Sequence, residues 1–485
     1  MPDALYAAAP RDPAAWVARL SLAMTIDGAD AAAASHLDIL DPVSETLVAQ
    51  APIVDAAGAE QAVRAAHAAF PAWARTPWQD RRERLEAFAK ALEEQQQTLS
   101  ILLTCETGKP LRRALSEVLA GIDYVRTIAA QTLPDRDYIK AGGGVARLEH
   151  RPLGVVAAIA PWNGPVVLAL AKIANALLAG DTLVLKPSPF TPLTALYMGQ
   201  LARGHFPAGV FNVVAGDADV GVVLTSHPMV AKVSFTGSTA TGRAIAAAAA
   251  PTLKRLTLEL GGNDAAIVLP DADLDRATPF IFAIAFAGAG QFCAGIKRLY
   301  VHDAIHDEVR DRMVALAEAT KVGAGWDAAT DMGPVQNGAQ YARIVGLLDD
   351  ARQAGGRILT GGPLNHGPGF FLRPAIVEGL THGARLVDEE QFGPALPLIR
   401  FSRPEDALAM ANQDEYGLGG SVWTRDINAG VALARELEVG TAWINQHGAF
   451  SAALPMPFAR QSGLGMDYAE FGIAEHSRAM LINAA

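Results

Sequence analysis

Cysteine is nearly missing from this chain of 485 residues. Cys105 and Cys293 stand in unrelated contexts, so neither a disulfide framework nor a CxxC metal knuckle can be assembled, and the expectation is a metal-free protein of a reducing cytoplasm. Long runs of one charge are missing too. The formal net charge is −11, but acidic and basic residues are interspersed, which argues against nucleic acid or an anionic membrane surface as the main partner. No uninterrupted apolar run approaches the ~20 residues that cross a bilayer, and the alanine-rich start is broken by Asp3, Arg11 and Asp12, so neither a membrane span nor a secretory signal is expected. The GxGxxG fingerprint of dinucleotide-binding βαβ units does not occur either.

What is present describes a folded, enzyme-sized protein. Hydrophobic residues make up 51% and charged residues 19%, enough for a large core, and the length calls for two or three joined domains. From about Ala56 to Leu119 apolar residues recur at helical spacing. After residue 130 the pattern changes. ARLEHRPLGVVAAIAP and GDTLVLKPS read as strands with a helix over Val166 to Leu178 between them, and GVFNVVAG, AKVSFTGS and RLTLELGG continue the alternation. A mostly parallel, doubly wound sheet is therefore expected. The alternation restarts near Asp271, with KRLYVHD, GGRILTGG, ALPLIRF, GGSVWTRD and GTAWINQH as strand candidates, so a second α/β domain should begin near residue 260.

Four segments carry groups suited to chemistry. Cys293 sits in GAGQFCAGIKRLYV, a loop of small residues expected to enter a helix and then a strand, where backbone N–H groups could favour a thiolate. Glu259 ends the apolar strand of RLTLELGGND beside two glycines, a placement for a general base acting through water. Asn163 follows the strand in VVAAIAPWNGP, where its amide could donate to an oxyanion. In FTGSTATGRAI, Gly237, Ser238 and Gly242 mark a strand running into a helix N-terminus, the kind of place that takes a pyrophosphate. Each has a plain structural reading when taken alone: a buried thiol, a surface or capping glutamate, a turn asparagine, a simple strand-to-helix turn.

Taken together and in order, they resemble the aldehyde dehydrogenase superfamily. The similarity runs from about Asp41 to Gly472 through ETGKP at 106–110, PWN at 161–163, LVLKPSPFTP at 183–192, FTGST at 235–239, LELGG at 258–262, the Cys293 loop, EEQFGP at 389–394, WIN at 443–445 and QSGLG at 461–465. The resemblance implies two doubly wound parallel-sheet domains with a small β bridging segment. The cofactor domain would span 1–129 and 151–258, the catalytic domain 259–450, and the bridging and oligomerisation segment 130–150 with 451–485. A homodimer or homotetramer is implied, since a projecting β-segment leaves edges for a partner to cover.

By the same resemblance, Cys293 attacks an aldehyde, Asn163 and the Cys293 N–H hold the oxyanion, Glu259 activates the water that hydrolyses the thioester, and Lys172 stands near that base. The cofactor, NAD with NADP left open, would contact Ile159, Pro161, Trp162, Lys186, Ser188, Phe235, Gly237, Ser238, Leu260, Gly261, Glu390 and Phe392. Gly164, Ala171, Phe292 and Phe450 would line the substrate tunnel.

The chain departs from the family pattern at several places. Pro189 stands where many NAD-preferring relatives carry a glutamate that repels a 2′-phosphate. Gly164 and Ala171 replace a common Phe and Trp, so a roomy tunnel for an aromatic or medium-chain apolar aldehyde is expected unless other bulky residues refill it. In the segment 455–463 both glycines and the lysine of the family's loop are gone, leaving its conformation and any contact from Arg460 open. Arg478 and Met480 replace residues that are often Glu and Lys, which removes a carboxylate suited to a proton relay and calls for another exit route. Three other readings stand beside the main one. A CoA-acylating dehydrogenase would generally lack the carboxylate at Glu259, and a non-catalytic binding or structural relative would often lack the cysteine or the base. A thiol hydrolase would need a histidine near Cys293, for which there is no special candidate.

Overall fold

The computed structural model describes residues 2–7, 9–140, 144–364 and 367–484. Its largest sheet has a parallel centre of five strands in the order Phe211–Val213, Thr182–Lys186, Val155–Ile159, Val230–Thr236 and Arg255–Glu259. These strands are buried over most of their length because helices cover both faces. Val155–Ile159, which comes first along the chain, lies in the middle, and the order reverses between it and Val230–Thr236. Such a switch point opens a crevice at the carboxyl ends of the strands, where Ile159, Thr236 and Glu259 stand.

The helix Pro165–Ala179 is buried over nearly its whole circumference between this sheet and a helical layer that includes Trp78–Glu94 and Leu111–Ala129. Its ends follow from sequence. Pro165 takes the first turn, where a missing N–H costs nothing, and Gly180 closes the helix at φ +98, a conformation that side chains oppose.

Between Glu259 and Asp264 the chain leaves the first sheet and enters a second. This sheet runs Arg357–Pro363, Leu372–Glu378, Ala395–Phe401, Ile296–His302, Asp264–Val268, Gly419–Trp423 and Thr441–Ile444, parallel except for the antiparallel edge pair formed by the first two. The sequence reading missed Asp264–Val268 and Leu372–Glu378. Only four residues separate the former from the preceding strand, and it lies before Asp271, where the second alternation was expected to begin.

A third sheet, antiparallel, joins Ser477–Asn483, Val145–Pro152 and Arg136–Ile139. It leaves Ile139, Val145 and Leu481 exposed. The C-terminal segment does more than feed this small sheet: Gly463–Leu464 pairs antiparallel with the end of Arg255–Glu259, setting Gly463 opposite Glu259. The mixed α/β architecture is the expected one, two largely parallel sheets with a small separate one. Among the described residues no helix is long and apolar enough to cross a membrane.

Candidate active site

Cys293 stands on a turn that leads through Gly295 directly into Ile296–His302. The helix expected after it does not form, because two residues between the cysteine and the strand leave no room for a turn of helix. Two cavities meet at this turn. One, of about 530 Å³, opens at the carboxyl ends of the first sheet; the other, of about 750 Å³, runs between the helix Pro165–Ala179 and the segment 282–293. Asn163, Thr236, Glu259 and Cys293 line both. Residues more than a hundred positions apart are thus gathered around one thiol.

The electrostatics of the meeting point differ from the sequence expectation. The Ala294 N–H bonds the thiol and favours its ionised form, but burial and the neighbouring Glu259 carboxylate outweigh it and push the Cys293 thiol well above its ordinary value. A free thiolate is therefore not the resting state. Burial also raises Glu259, to about 7, against the pull of the adjacent Cys293 thiol and Lys172. Both Glu259 oxygens are buried without a well-aligned hydrogen-bond partner. A carboxylate so placed is ready to accept a proton.

Asn163 is fixed from its amide end. Its Nδ2 donates to the Gln291 carbonyl at 3.0 Å, which determines which end of the side chain is NH2 and leaves one N–H free. Lys172 is fully buried, donates to Ser234 Oγ at 3.2 Å, and is pulled down from its ordinary value by burial against the opposing carboxylates Asp467 and Glu259.

On the crevice side the structure brings Pro161, Trp162, Gly237, Ser238, Leu260, Gly261, Glu390 and Phe392 together. Ser238 caps the eleven-residue helix Thr239–Ala249 by accepting the Thr241 N–H. A Cβ on Gly237 would fall 2.5 Å from the Phe235 ring, and one on Gly261 would fall 2.5 Å from Glu390 Oε2, so a side chain at either position would displace Phe235 or Glu390. Glu390 accepts the Gly262 N–H at 3.1 Å, and burial raises it to about 7. Phe392 stands edge-on to Trp162 at 5.4 Å and has φ +50, a costly conformation for an aromatic residue, held by Gln340 Nε2 donating to the Phe392 carbonyl at 2.9 Å.

Four of the residues expected here do not line the crevice. Phe235 packs beneath Gly237, and Ile159 stays in the strand ladder between Lys186 and Phe235. Ser188 Oγ accepts the Phe190 N–H, and Lys186 is buried with its Nζ toward the Pro187 carbonyl at 3.4 Å. Thr236, Thr239, Gln340, Arg343, Glu389 and Tyr416 join the wall without having been foreseen. Thr236 and Glu389 lay inside quoted motifs, whereas Gln340 and Arg343 come from a helix with no local signal.

The larger cavity is lined by Gly164, Ala171, Phe292 and Phe450 as expected, and also by Val167, Leu168, Phe282, Phe286, Met456 and Tyr468. A Cβ on Gly164 would come within 3.2 Å of Leu168, so Leu168 fills part of the room a larger residue would take. The altered loop turns Arg460 away: its Nη1 donates to the Asn412 carbonyl at 2.9 Å, and Arg460 does not line the cavity. The same loop brings Asp467 in beside Met456. Asp467 is a half-buried carboxylate on the cavity wall, raised by desolvation against the opposing pull of Lys172 and Lys232. Nothing in the local sequence pointed to it.

Residues 29–482 match the aldehyde dehydrogenase family. An aldehyde dehydrogenase of Fusarium sp is 39% identical over 441 residues, covering 90% of this chain and 93% of that one. Among solved structures, betaine aldehyde dehydrogenase from Staphylococcus aureus in complex with NAD+ has a TM-score of 0.93 at 30% identity, covering 98% of this chain and 96% of that one. Aldehyde dehydrogenase C from Pseudomonas syringae, a cysteine-to-alanine mutant with NAD+ and octanal, has a TM-score of 0.92 at 32% identity, covering 96% of this chain and 97% of that one.

Proposed function

This chain belongs to the aldehyde dehydrogenase family and is an NAD(P)-dependent oxidoreductase acting on aldehydes; from that premise we propose that it converts an aromatic or medium-chain apolar aldehyde to its carboxylic acid through a thioester on Cys293. The observation that carries this reading is the meeting of two cavities at Cys293 with Asn163 and Glu259 beside it.

The residues of the crevice fit a dinucleotide. The crevice volume, the two glycines that leave its wall close to backbone and the capped helix N-terminus suit a pyrophosphate at Gly237 and Ser238. Glu390 would hold the nicotinamide ribose, Trp162 and Phe392 would wall the same end, and Lys186 would reach the adenine ribose. NAD is the expected cofactor, with no carboxylate at Pro189 to oppose NADP. When bound, the nicotinamide supplies the acceptor for the substrate's hydride.

Everything else falls to the chain's own groups. With the thiol held up and Glu259 near 7, Glu259 takes the Cys293 proton as Sγ bonds to the carbonyl carbon. The developing oxyanion accepts the free N–H of Asn163. After oxidation to the thioester, Glu259 removes a proton from water, the oxygen adds to the acyl carbon and the C–S bond breaks. Cys293 is restored and the carboxylate leaves. Lys172, buried, and Asp467, half-buried on the cavity wall, lie near Glu259 and offer groups through which the released protons pass.

The cavity of about 750 Å³ and its mostly apolar wall support a substrate larger than acetaldehyde. Octanal bound in the Pseudomonas syringae relative supports the same size class. The test is a panel of acetaldehyde, benzaldehyde and octanal with NAD or NADP, with and without CoA, followed by absorbance of the reduced cofactor. A much higher kcat/KM for acetaldehyde would overturn the substrate reading, and acyl-CoA formation would overturn hydrolysis.

A further inference from the structure

Lys109 and Glu117 take part in none of these steps, yet the structure ties both to the turn that carries Asn163. Lys109 follows Gly108, which ends the helix Gln96–Thr107 at φ +70, and Glu117 lies on the next helix, Leu111–Ala129. Lys109 Nζ donates both to the Glu117 carboxylate and, at 2.5 Å, to the backbone carbonyl of Asn163. The other oxygen of Glu117 accepts the Val166 N–H at 3.0 Å. That group is an unpaired donor in the first turn of Pro165–Ala179, whose N-cap residue, Gly164, has no side chain to satisfy it. The two side chains are only 16% and 10% exposed.

Lys109 is itself wedged from the other lobe. The Leu111 N–H bonds to the Gly325 carbonyl at 3.0 Å, and a Cβ on Gly325 would fall 2.3 Å from the Lys109 carbonyl oxygen. The side-chain pair thus ties to the turn holding Asn163, while the backbone on either side of Lys109 packs against Gly325.

We propose that the Lys109–Glu117 pair is a positioning device that fixes the Asn163 amide for the oxyanion before the aldehyde arrives. A mostly buried ion pair adds little net stability, because desolvating two charges offsets their attraction. What it supplies here is geometry. The ammonium pins the peptide plane after Asn163 while Gln291 pins the side-chain amide, so backbone and side chain are held from opposite sides. A displacement of about 1 Å at such a group costs on the order of a hundredfold in rate.

The inference rests on the oxyanion role of Asn163, and its test separates the two. Removing one charge alone would strand the other, so the informative variant is Lys109→Met with Glu117→Gln, compared with Lys109→Arg, Asn163→Ala and the combined triple variant. The readouts are the pre-steady-state burst rate of reduced cofactor with octanal, the aldehyde KM and the melting temperature. The double variant should lower the burst rate by about 10- to 30-fold with KM nearly unchanged, and Lys109→Arg should recover most of it. In the Asn163→Ala background the same double change should cost less than about twofold, since the group being positioned is gone.

Additive losses would overturn the positioning role, as would a raised KM with an unchanged burst rate, which would mark the pair as a substrate contact at the cavity wall. A full burst rate in Asn163→Ala alone would remove the oxyanion assignment, and this proposal with it.

Discussion

The crevice and the cavity that share Cys293 are walled by different kinds of residues. The crevice is built from strand ends and the glycine-rich turns after them, with Glu389, Glu390 and Glu415 adding carboxylates. The cavity is built mostly from apolar side chains on a helix, a loop and the C-terminal segment. A wall of mixed polar and apolar groups, close to backbone at its glycines, leaves little room there, because a side chain at Gly237 or Gly261 would displace a neighbour. An apolar wall is a matter of volume, and volume can be supplied from several positions.

The sharpest test of where the two regions join is at Cys293 and Glu259, two of the four residues that line both. Cys293→Ala should abolish reduced-cofactor formation, by at least about a thousandfold, with the melting temperature nearly unchanged. Glu259→Gln should lower steady-state turnover by about a hundred- to a thousandfold, and rapid mixing with quench should find an acyl-enzyme that accumulates. Fast thioester release in that variant would move the base elsewhere, with Asp467 the next candidate in the cavity.

Ala171→Trp tests the apolar side. It places a large ring in the cavity wall and should lower kcat/KM for octanal relative to acetaldehyde by about 10- to 100-fold, while KM for NAD stays unchanged. An unchanged ratio would mean that Leu168 and its neighbours, not the missing ring, set the width.

The contrast also explains what could be read from sequence. Glu259 and Asn163 were legible because strand ends followed by Gly or Pro mark where chemistry is placed in a parallel sheet, and Cys293 because its place in order with them matched a family. Gly237 and Ser238 were legible because a strand entering a helix has few solutions. Asp467 and Tyr468 were not, because they reach the cavity through the pairing of Met466–Asp467 with Met456–Pro457, in a loop whose sequence departs from the pattern. Gln340 and Arg343 were hidden for a related reason: a helix in the second lobe reaches across to the crevice, and helical periodicity says nothing of what lies opposite. Lys109 was visible inside ETGKP, but its contact with the Asn163 carbonyl depends on a turn 54 positions away.

Acidity provides a further test at the shared centre. The Glu259 carboxyl, raised to about 7, is an active base only once ionised, so turnover limited by hydrolysis should fall about tenfold per pH unit below 7 and level off above it. The limb should vanish in Glu259→Gln. If it persists there, another group sets it, and Glu390, also raised to about 7, is the one to examine.

The smallest effect is expected at Lys186, which belongs to the cofactor side by its motif but does not line the crevice itself. Its ammonium is lowered to about 8 by burial, against the opposing charges of Asp217 and Asp219. A group with that value is charged below pH 8 and loses its charge above it. If Lys186 holds the adenine ribose through charge-assisted hydrogen bonds, kcat/KM for NAD should decline as pH rises through about 8, while kcat at saturating NAD should not. Lys186→Ala should raise KM for NAD by about five- to tenfold, close to 1 kcal/mol, and remove the alkaline decline. An unchanged KM would confine the binding determinants to the crevice between Trp162 and Gly237, and the contrast with the apolar side would then rest on the nicotinamide and pyrophosphate end alone.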